Sequence, residues 1–525
     1  MPISPRSPLA VDRFQSAREH FEKVLDWLGS PEAPMDHSVL ETEVVERGRE
    51  ALRLAAQARL DLLTAKEKAA QTPAPEGVEV RPRTRQIEST LGRLRFRRLG
   101  YKAPNKRVRF PLDEALNLPA DLYTHPLRQR VVAEARARAF DGVVEQVDAT
   151  TGGHVPKRQA EELVVAAAQD FDTFYAQRKP ANDGLAGNAH LMASCDSKGI
   201  RVLPQALRDA TRKEAEAAAA EAVRGDPMES KKLRLHDRRM AVVTAVWEQQ
   251  PTPRTATDIV DELQRAPGGS KRDKVPLARP ENKRLVASIE KSMAPSVTEM
   301  FNELDRRDPS RERCVAILVD GDENQQTAIL DQARRSDRTV MVILDVIHMI
   351  HYLWLAGSAL CRNKDKAKRR RATDVWVARH LLLVLTSGAE PLIAAIGAAT
   401  AAKRLTKRQR KPIDKALKYF QRNSTHLDYP TFLALGLPIA SGIIEGACRH
   451  LIQDRLGITG ARWDLPGAEA ILRLRAIHSN GDAEAYWEFH RHQEGQRNYE
   501  LDRAALPPRG KRAAPEPVLP LFDSS

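Results

Sequence analysis

The segment from Arg313 to Asp345 constrains the fold most strongly. It contains two short, almost wholly apolar runs, one that stops at Asp320 and one that stops at Asp345. Continuous apolar runs of this length are typical of strands that are buried on both faces. The residues between them, 323–336, have a helical pattern, so the segment predicts a βαβ unit with parallel strands. Functional groups gather at the carboxyl ends of such strands, and Asp320 lies at one of these ends.

The composition indicates a large globular protein with excess positive charge. Its 525 residues are enough for more than one domain. The 84 Lys and Arg exceed the 70 Asp and Glu, and the net charge of +14 favours a polyanionic partner, although an ordinary basic enzyme has the same balance. The four cysteines form no C-x-x-C pair, and no apolar run reaches the ~18 residues of a membrane span. We therefore expect a cytoplasmic protein without a zinc finger, a disulfide framework or a membrane segment.

Changes in pattern divide the chain into six regions. Residues 1–80 are helical, 81–180 hold a basic strand ribbon and further helices, 185–345 predict the first part of an α/β core, 346–435 a helical insertion, 436–495 closing helices and 496–525 a disordered tail. The first helices suit a hairpin that packs on the body, with a dimerising coiled coil as the alternative. Two basic runs in the insertion, Lys364 to Arg371 and Lys403 to Lys411, suggest a surface that follows a nucleic-acid backbone.

The first basic feature is a ribbon in which arginines alternate with apolar residues. Arg93, Arg95 and Arg97 alternate with Leu94 and Phe96. A period of two places the three guanidinium groups on one face of a strand and the apolar side chains on the other. Such a ribbon can lie along DNA phosphates, and a solvated strand face is the alternative.

The second basic feature is a helix start that follows a glycine-containing turn. We expect one helix from Arg128 to Val147 and a second from Pro156 to Tyr175, since proline favours a first helical position. Lys157 and Arg158 would project from the first turn of the second helix, as in a helix-turn-helix recognition helix. The alternative is an ordinary pair of packed helices.

The core region predicts a succession of strands that leads to the βαβ unit. We expect a first strand from Leu191 to Asp196, a turn at residues 197–199, a return strand from Ile200 to Leu203 and a third strand from Met240 to Trp247. A helix from Asn282 to Arg307 would follow. The resulting order, β-β-β-α-β-α-β with a closing helix, is that of a ribonuclease H-like mixed sheet.

That arrangement makes the first and fourth strands neighbours at the centre of the sheet. Asp196 and Asp320 would then lie close together, and Glu445 from the closing helix would complete an acidic cluster. Unpaired carboxylates repel one another, and a divalent cation with a preference for oxygen ligands, Mg²⁺ or Mn²⁺, relieves the repulsion. Two such ions can promote phosphoryl transfer. As alternatives, Asp322 competes with Asp320 for the metal role, and Glu445 merely favours a helix N-terminus.

Several segments together carry a resemblance to a known family. They are Cys195–Ile200, Met240–Val246 with Pro251–Thr255, Leu318–Asp322, Leu344–His348 with Tyr352–Trp354, Leu437–Leu451 and Ile458–Trp463. In these segments the chain resembles transposases of the ISKra family of bacterial insertion sequences, which have a DDE, ribonuclease H-like core. The resemblance runs from about residue 88 to residue 495, and Ser197 departs from it, since the family more often has glycine after the first aspartate.

The resemblance implies DNA strand cleavage and strand transfer, with metal held by Asp196, Asp320 and Glu445. The run from Asp345 to His348 looks like the Cys/Asp-x-x-His motif of Mutator-like relatives, in which the histidine supports the site. A zinc site formed by Asp345, His348 and His351 is the alternative. The resemblance further implies a homo-oligomer that acts on transposon ends and target DNA in the bacterial nucleoid.

Four residues after Glu445 are further candidates for contact with DNA. Arg449, Arg455 and Arg462 suit phosphate contacts, and Trp463 suits base stacking, with a buried anchor as its alternative. Two rival functions remain at this stage. One is a domesticated DNA-binding regulator, and the other is a structure-specific nuclease with the same fold.

Overall fold

The chain divides into two compact units. One contains Met1–Asp170 and Glu484–Ser525, and the other contains Phe171–Ala483. The computed structural model describes residues 12–71, 76–178, 189–222, 237–264, 278–440, 442–458 and 460–500. Residues 496–500, which we expected to begin a disordered tail, are instead π-helical, and the rest of that tail, from residue 501 onward, lies outside the described residues.

The first unit begins with two helices that pack against each other, α1 (Gln15–Leu28) and α2 (His37–Ala69). Asp36 starts α2, because its carboxylate accepts hydrogen bonds from the backbone N–H groups of Ser38 and Val39 at 2.9 and 3.3 Å. The two helices predicted for this region are thus present.

A three-stranded antiparallel sheet follows, in the order β1 (Glu79–Ser89), β2 (Gly92–Lys102) and β3 (Val108–Arg109). Helix α2 packs along β2. The contact buries a shared apolar cluster formed by Leu60, Ile87, Leu94, Phe96 and Leu112. Burial of this cluster holds the small sheet against the long helix.

The helices after the sheet are shorter than we expected. They are α3 (Pro111–Ala115), α4 (His125–Ala135), α5 (Phe140–Thr150) and α6 (Lys157–Ala167). The single helix expected from Arg128 to Val147 is wrong, because the chain turns between α4 and α5. That turn carries no glycine or proline, but it lets Val131 of α4 and Val143 of α5 become fully buried. The helix expected from Pro156 to Tyr175 likewise ends at Ala167, and α7 (Phe171–Gln177) begins separately in the second unit.

The second unit contains a five-stranded mixed sheet. Its strands are β4 (His190–Arg201), β5 (Arg238–Gln249), β6 (Glu281–Ser288), β7 (Val315–Val319) and β8 (Met341–Leu344), in the order β6-β5-β4-β7-β8. Strands β6, β5 and β4 pair antiparallel, whereas β4, β7 and β8 pair parallel. The parallel βαβ unit and the central adjacency of the first and fourth strands, both predicted from the sequence, are confirmed.

The strand predicted from Met240 to Trp247 is present within β5. The predicted turn at residues 197–199, with a return strand from Ile200 to Leu203, and the start of the helix predicted from Asn282 are wrong. Residues 197–199 do not turn, because β4 continues through them in register with β5, as far as the pair formed by Arg201 and Arg238. The third strand is β6, which occupies the first part of the helix predicted from Asn282. Pairing with β5 buries Leu285 and Ala287, and the helix begins only at Met293. In both places strand pairing overrides the local preference of the sequence.

Helices surround this sheet. They are α8 (Asp209–Ala222), α9 (Ala256–Gln264), α10 (Met293–Arg307), α11 (Glu323–Arg335), α12 (Val346–Leu360), α13 (Lys366–Ser387), α14 (Ala389–Ala401), α15 (Lys407–Arg422), α16 (Tyr429–Ala434), α17 (Gly442–Ala447), α18 (Asp454–Leu456) and α19 (Leu465–Ser479). A π-helical segment, Cys448–Gln453, joins α17 to α18. The last helix, α20 (Ala483–Gly495), continues into a π-helical turn, Gln496–Glu500.

The residues after β8 that we predicted to be helical form five helices, α12 to α16. In the described part of the chain, no helix combines the length and the apolar character needed to cross a membrane. All four cysteines are free thiols.

Candidate functional site

Asp196 lies in the middle strand of the second sheet, with its side chain about one quarter exposed. Its neighbour two residues on, Lys198, points to the same side of the strand and places its Nζ 3.0 Å from the Asp196 Oδ2. The Cys448 thiol donates a hydrogen bond to the same oxygen at 3.4 Å. Burial, and then the adjacent carboxylate, raise the pKa of the Cys448 thiol, which therefore stays protonated as a donor.

Asp320 follows the last residue of β7, level with Asp196. Residues that pair between β4 and β7, such as Ser194 and Leu318, are 124 positions apart in the chain. Asp196 and Asp320 are also 124 positions apart, so they continue the same register two residues beyond that pair. Burial raises the pKa of the Asp320 carboxyl, and the negative charge of Asp196 raises it further. The two carboxylates therefore lie side by side, as predicted, just beyond the last pair of the parallel ladder, Ser194 and Leu318. Asp196 does not end its strand, however, because β4 continues to Arg201.

The turn after Asp320 is fixed by the helical insertion. Gly321 has a φ of +91°, and an added Cβ there would lie 2.6 Å from the Tyr419 ring of α15. The Tyr419 hydroxyl donates to the Asp320 backbone carbonyl at 2.7 Å, and the Arg422 guanidinium donates to the Gly321 carbonyl. Asp322 is the N-cap of α11, because its side chain accepts from the Gln325 backbone N–H at 3.1 Å. Its role in the fold is thus to start a helix.

Glu445 lies on α17, which packs against β4 and β5. Its side chain is exposed, whereas Ile444 and Ala447 of the same helix are buried. Cys448, one helical turn further on, is the residue of this segment that reaches Asp196. Within the described ranges, no group of three His, Cys, Asp or Glu side chains is close enough to hold a metal ion. The expected convergence of all three acidic side chains is therefore not observed.

Asp345 and His348 lie at the start of α12, beside the same strand ends. The buried Asp345 accepts a hydrogen bond from the backbone N–H of Ile347 at 2.8 Å and thereby caps the helix. Its own N–H donates to Val319 at the end of β7. His348 is exposed. Asp345, His348 and His351 do not form a metal-binding group among the residues described, so the zinc alternative is not supported.

The basic ribbon has the predicted alternation. Arg93, Arg95 and Arg97 are exposed on β2, whereas Leu94 and Phe96 are buried. The Arg93 Nε lies 2.5 Å from the Glu88 carboxylate of β1, so this charge is partly neutralised within the sheet. Among the described residues, Arg95 and Arg97 make no ion pair.

The first turn of α6 exposes Lys157 and Arg158, as predicted. The Lys157 ammonium lies 2.8 Å from the Asp141 carboxylate of α5, and the Arg158 Nε lies 3.4 Å from Glu162 in its own helix. Glu161 is also exposed on α6. Carboxylates next to both basic residues reduce the attraction of this helix for phosphate.

Two of the four DNA-contact candidates after Glu445 are not at the surface. Arg455 is 2% exposed, and its guanidinium lies 4.7 Å from the centre of the Trp463 ring, which is itself 6% exposed. Burial lowers the pKa of Arg455 to about 10. The Trp463 backbone pairs with Arg201 and Leu203 beyond the end of β4. The prediction that Arg455 and Trp463 contact DNA is therefore wrong, whereas Arg449 and Arg462 are exposed.

Four residues that the sequence analysis did not single out complete the surroundings of the two aspartates. They are Lys198, Cys448, Tyr419 and Arg422. Lys198 was detectable in principle, since a spacing of two on a strand puts side chains on one face. The other three come from distant segments, and their contacts depend on tertiary packing.

The donor chemistry fits a hard divalent cation only in part. Asp196 and Asp320 offer adjacent carboxylate oxygens, the ligands that Mg²⁺ prefers, but Lys198 neutralises one of them and Glu445 does not complete a three-ligand group. The sequence matches no protein-family model and none of the curated proteins with which it was compared.

Proposed function

We propose that the protein is a DNA transposase with a ribonuclease H-like core, which cleaves DNA strands and joins them to a target. The supporting observation is the level placement of Asp196 and Asp320 on the central strands of a sheet ordered β6-β5-β4-β7-β8. Phosphoryl transfer on DNA needs negative ligands at such a point, because a cation held there can stabilise the attacking and leaving oxygens.

Asp196 and Asp320 would hold Mg²⁺ or Mn²⁺ in this proposal, and Glu445 would add a third carboxylate. When bound, the metal would supply Lewis-acid stabilisation of the charge that develops on phosphate oxygens. The packing of α17 on β4 and β5 supports the inclusion of Glu445. Asp345 and His348 would support the site from the start of α12.

The residues of this chain have roles that do not depend on the metal. Lys198 and Cys448 hold the Asp196 carboxylate in one orientation. Tyr419 and Arg422 fix the turn that carries Asp320. The exposed guanidinium groups of Arg95 and Arg97, together with the net charge of +14, would attract the DNA backbone. The protein would act as a homo-oligomer on transposon ends, in the nucleoid.

Cleavage of a supercoiled plasmid that carries the ends of the element, with Mg²⁺ present, tests the proposal. The wild-type protein should nick or linearise the plasmid, and strand transfer should join the ends to a second plasmid. Asp196→Asn, Asp320→Asn and Glu445→Gln should each lower the cleavage rate by at least about 100-fold. Loss of a residue that only hydrogen-bonds to a metal ligand lowers metal affinity or activity by about 10- to 100-fold, and loss of the ligand itself should cost more. DNA binding, measured by fluorescence anisotropy, should be unchanged.

Asp331→Asn is the matched control, because Asp331 is a carboxylate of α11 that pairs with Arg334 away from the two aspartates. If one of the three variants cleaves DNA as fast as Asp331→Asn, the residue substituted in that variant has no catalytic role.

The absence of a three-carboxylate group in the described part of the chain favours one competing function, a DNA-binding regulator without cleavage activity. The same assay separates the two functions. A regulator would bind the element ends but leave the plasmid intact at every Mg²⁺ and Mn²⁺ concentration. A structure-specific nuclease, by contrast, would cut without element ends and would join nothing.

A further inference from the structure

Two adjoining cavities lie along one side of α12, in the helical insertion. They have volumes of about 470 and 700 Å³ and share Trp354, Ser358 and Arg369 in their linings. We call the joint feature the insertion groove and define it by Trp354, Ser358, Lys366, Arg369, Arg370 and Arg408. Helices α12, α13 and α15 each contribute to it, so residues up to 54 positions apart in the chain line one groove.

The insertion groove has an uncompensated positive charge. Lys366, Arg369, Arg370 and Arg408 are all exposed, and no Asp or Glu side chain lines either cavity. Among the described residues, no ion pair joins any of the four to a carboxylate, whereas Arg334 on α11 pairs with Asp331. Four cations that face one concave surface without counter-charges concentrate anions there.

The aromatic residue narrows the class of ligand. Trp354 lines both cavities, one together with Lys366, Arg369 and Arg370 of α13 and the other together with Arg369 and Arg408 of α15. A bare phosphate needs only the cations, whereas an unpaired nucleotide also offers a flat base that stacks on an indole ring. We propose that the insertion groove binds unpaired DNA, with the four cations on its phosphates and Trp354 against a base.

The position of the groove relates it to the two aspartates. Asp345, at the start of α12, donates its backbone N–H to Val319 at the end of β7, next to Asp320. Trp354 is nine residues further along this helix, or roughly 14 Å at 1.5 Å per residue. That length corresponds to about four nucleotides at the stacked spacing of 3.4 Å. Provided that the proposed function is correct, the groove holds the strand about four nucleotides from the phosphate that is cleaved.

The test uses the full-length protein with Asp320→Asn, so that binding is measured without cleavage. The probes are a 20-nucleotide fluorescein-labelled single strand and its duplex, titrated by anisotropy at several NaCl concentrations. Arg369→Gln with Arg408→Gln should reduce the slope of log affinity against log salt by about 1.4 for the single strand, or 0.7 for each lost phosphate contact. Arg334→Gln with Arg335→Gln makes the same charge change on exposed residues of α11 and should leave the slope unchanged.

Trp354→Ala tests the base contact separately. It should weaken single-strand binding by about 5- to 150-fold, affect the duplex less and leave the salt slope unchanged. Trp354→Phe, which keeps an aromatic ring, should retain most of the affinity and shows that the helices are intact. If the double arginine variant keeps the salt slope of the parent protein, the insertion groove does not bind DNA phosphates. If Trp354→Ala weakens binding of the single strand and the duplex equally, the groove has no preference for unpaired DNA. If the wild-type protein binds DNA through the groove but never cleaves it, the proposed transposase function is wrong, whereas the proposed DNA-binding role of the groove still holds.

Discussion

Asp196 and Asp320 lie level with each other on two hydrogen-bonded parallel strands, although 124 residues separate them in the chain. The register that pairs Ser194 with Leu318 brings the two carboxylates to the same edge of the sheet. Burial raises the pKa of the Asp320 carboxyl, and the nearby negative charge of Asp196 raises it further. Perturbed pKa values of this kind cluster at functional sites.

Lys198 would compete with the proposed cation for Asp196, since its ammonium lies 3.0 Å from the carboxylate. We expect Lys198→Met to bind Mn²⁺ about fivefold more tightly than the wild type, which corresponds to the ~1 kcal/mol of a partly exposed ion pair. Calorimetric titration measures the affinity. Lys198→Arg keeps the charge and should bind Mn²⁺ like the wild type. Weaker binding by Lys198→Met would mean that the lysine assists the metal site instead of competing with it.

Gly321 should be intolerant of any side chain. Its φ of +91° is unfavourable for other residues, and a Cβ would lie 2.6 Å from Tyr419, whose ring is held by stacking on Tyr352 at 3.6 Å. We expect Gly321→Ala to lower the free energy of unfolding by about 2–4 kcal/mol. Urea denaturation followed by tryptophan fluorescence measures the loss, since Trp247 is buried in the same unit.

Gly397 provides the control for this substitution. It lies within α14, and an added Cβ would meet no atom within 4 Å. Gly397→Ala should therefore be neutral or stabilise the protein by up to about 1 kcal/mol, because alanine favours a helix. Equal effects of the two substitutions would contradict the contact between the Gly321 turn and α15.

Two histidines in the insertion should make the second unit sensitive to acid. Burial lowers the pKa of both His380 and His426 below the ordinary value of about 6.5. Between the lowered pKa and pH ~6.5, the unfolded chain binds more protons than the folded chain, so stability falls as the pH falls through that window. Each histidine contributes at most about 1.4 kcal/mol per pH unit.

His380→Phe preserves the ring that stacks on Trp376 at 3.7 Å, but it removes the titration. Urea denaturation at a series of pH values from 7.5 to 5 measures the dependence, and the variant should show a shallower slope. A slope identical to that of the wild type would exclude His380 as a source of the acid sensitivity.

The open edge of β2 is closed by side chains of α2. The Gln57 amide donates to the Arg95 carbonyl at 2.6 Å and accepts from the Arg95 N–H at 2.9 Å. Asn480 closes β6 in the same way, with two hydrogen bonds to Leu285 of 2.8 and 3.0 Å. Each amide takes the place of a neighbouring strand, which protects the edge from pairing with another chain.

Removal of the first of these amides should expose β2. We expect Gln57→Ala to cost about 0.5–1.5 kcal/mol and to speed amide hydrogen exchange at Arg95, with little change at the centre of the five-stranded sheet. Gln57→Glu still accepts from the Arg95 N–H and should show slower exchange than Gln57→Ala. Unchanged exchange at Arg95 would show that the amide does not protect the edge.

The sequence by itself determined the elements that carry strong local signals. Continuous apolar runs that stop at acidic residues predicted β7, β8 and the βαβ unit, because only buried strands remain apolar on both faces. The alternation of arginine with Leu94 and Phe96 predicted which side chains lie on each face of β2, because successive side chains of a strand point to opposite faces. The side-by-side placement of Asp196 and Asp320 followed from the order of the elements.

Tertiary structure decided the features that depend on distant partners. Residues 197–199 look like a turn, but pairing with β5 extends β4 through them, and the same pairing makes a strand of the residues before Met293. Arg455 and Trp463 resemble surface residues in sequence, yet the end of β4 buries them against each other. Cys448 and Tyr419 reach the two aspartates only because packing brings four separate segments together. The local sequence pattern predicts which face of a helix or strand is apolar. Which other helix or strand covers that face is decided only when the chain packs.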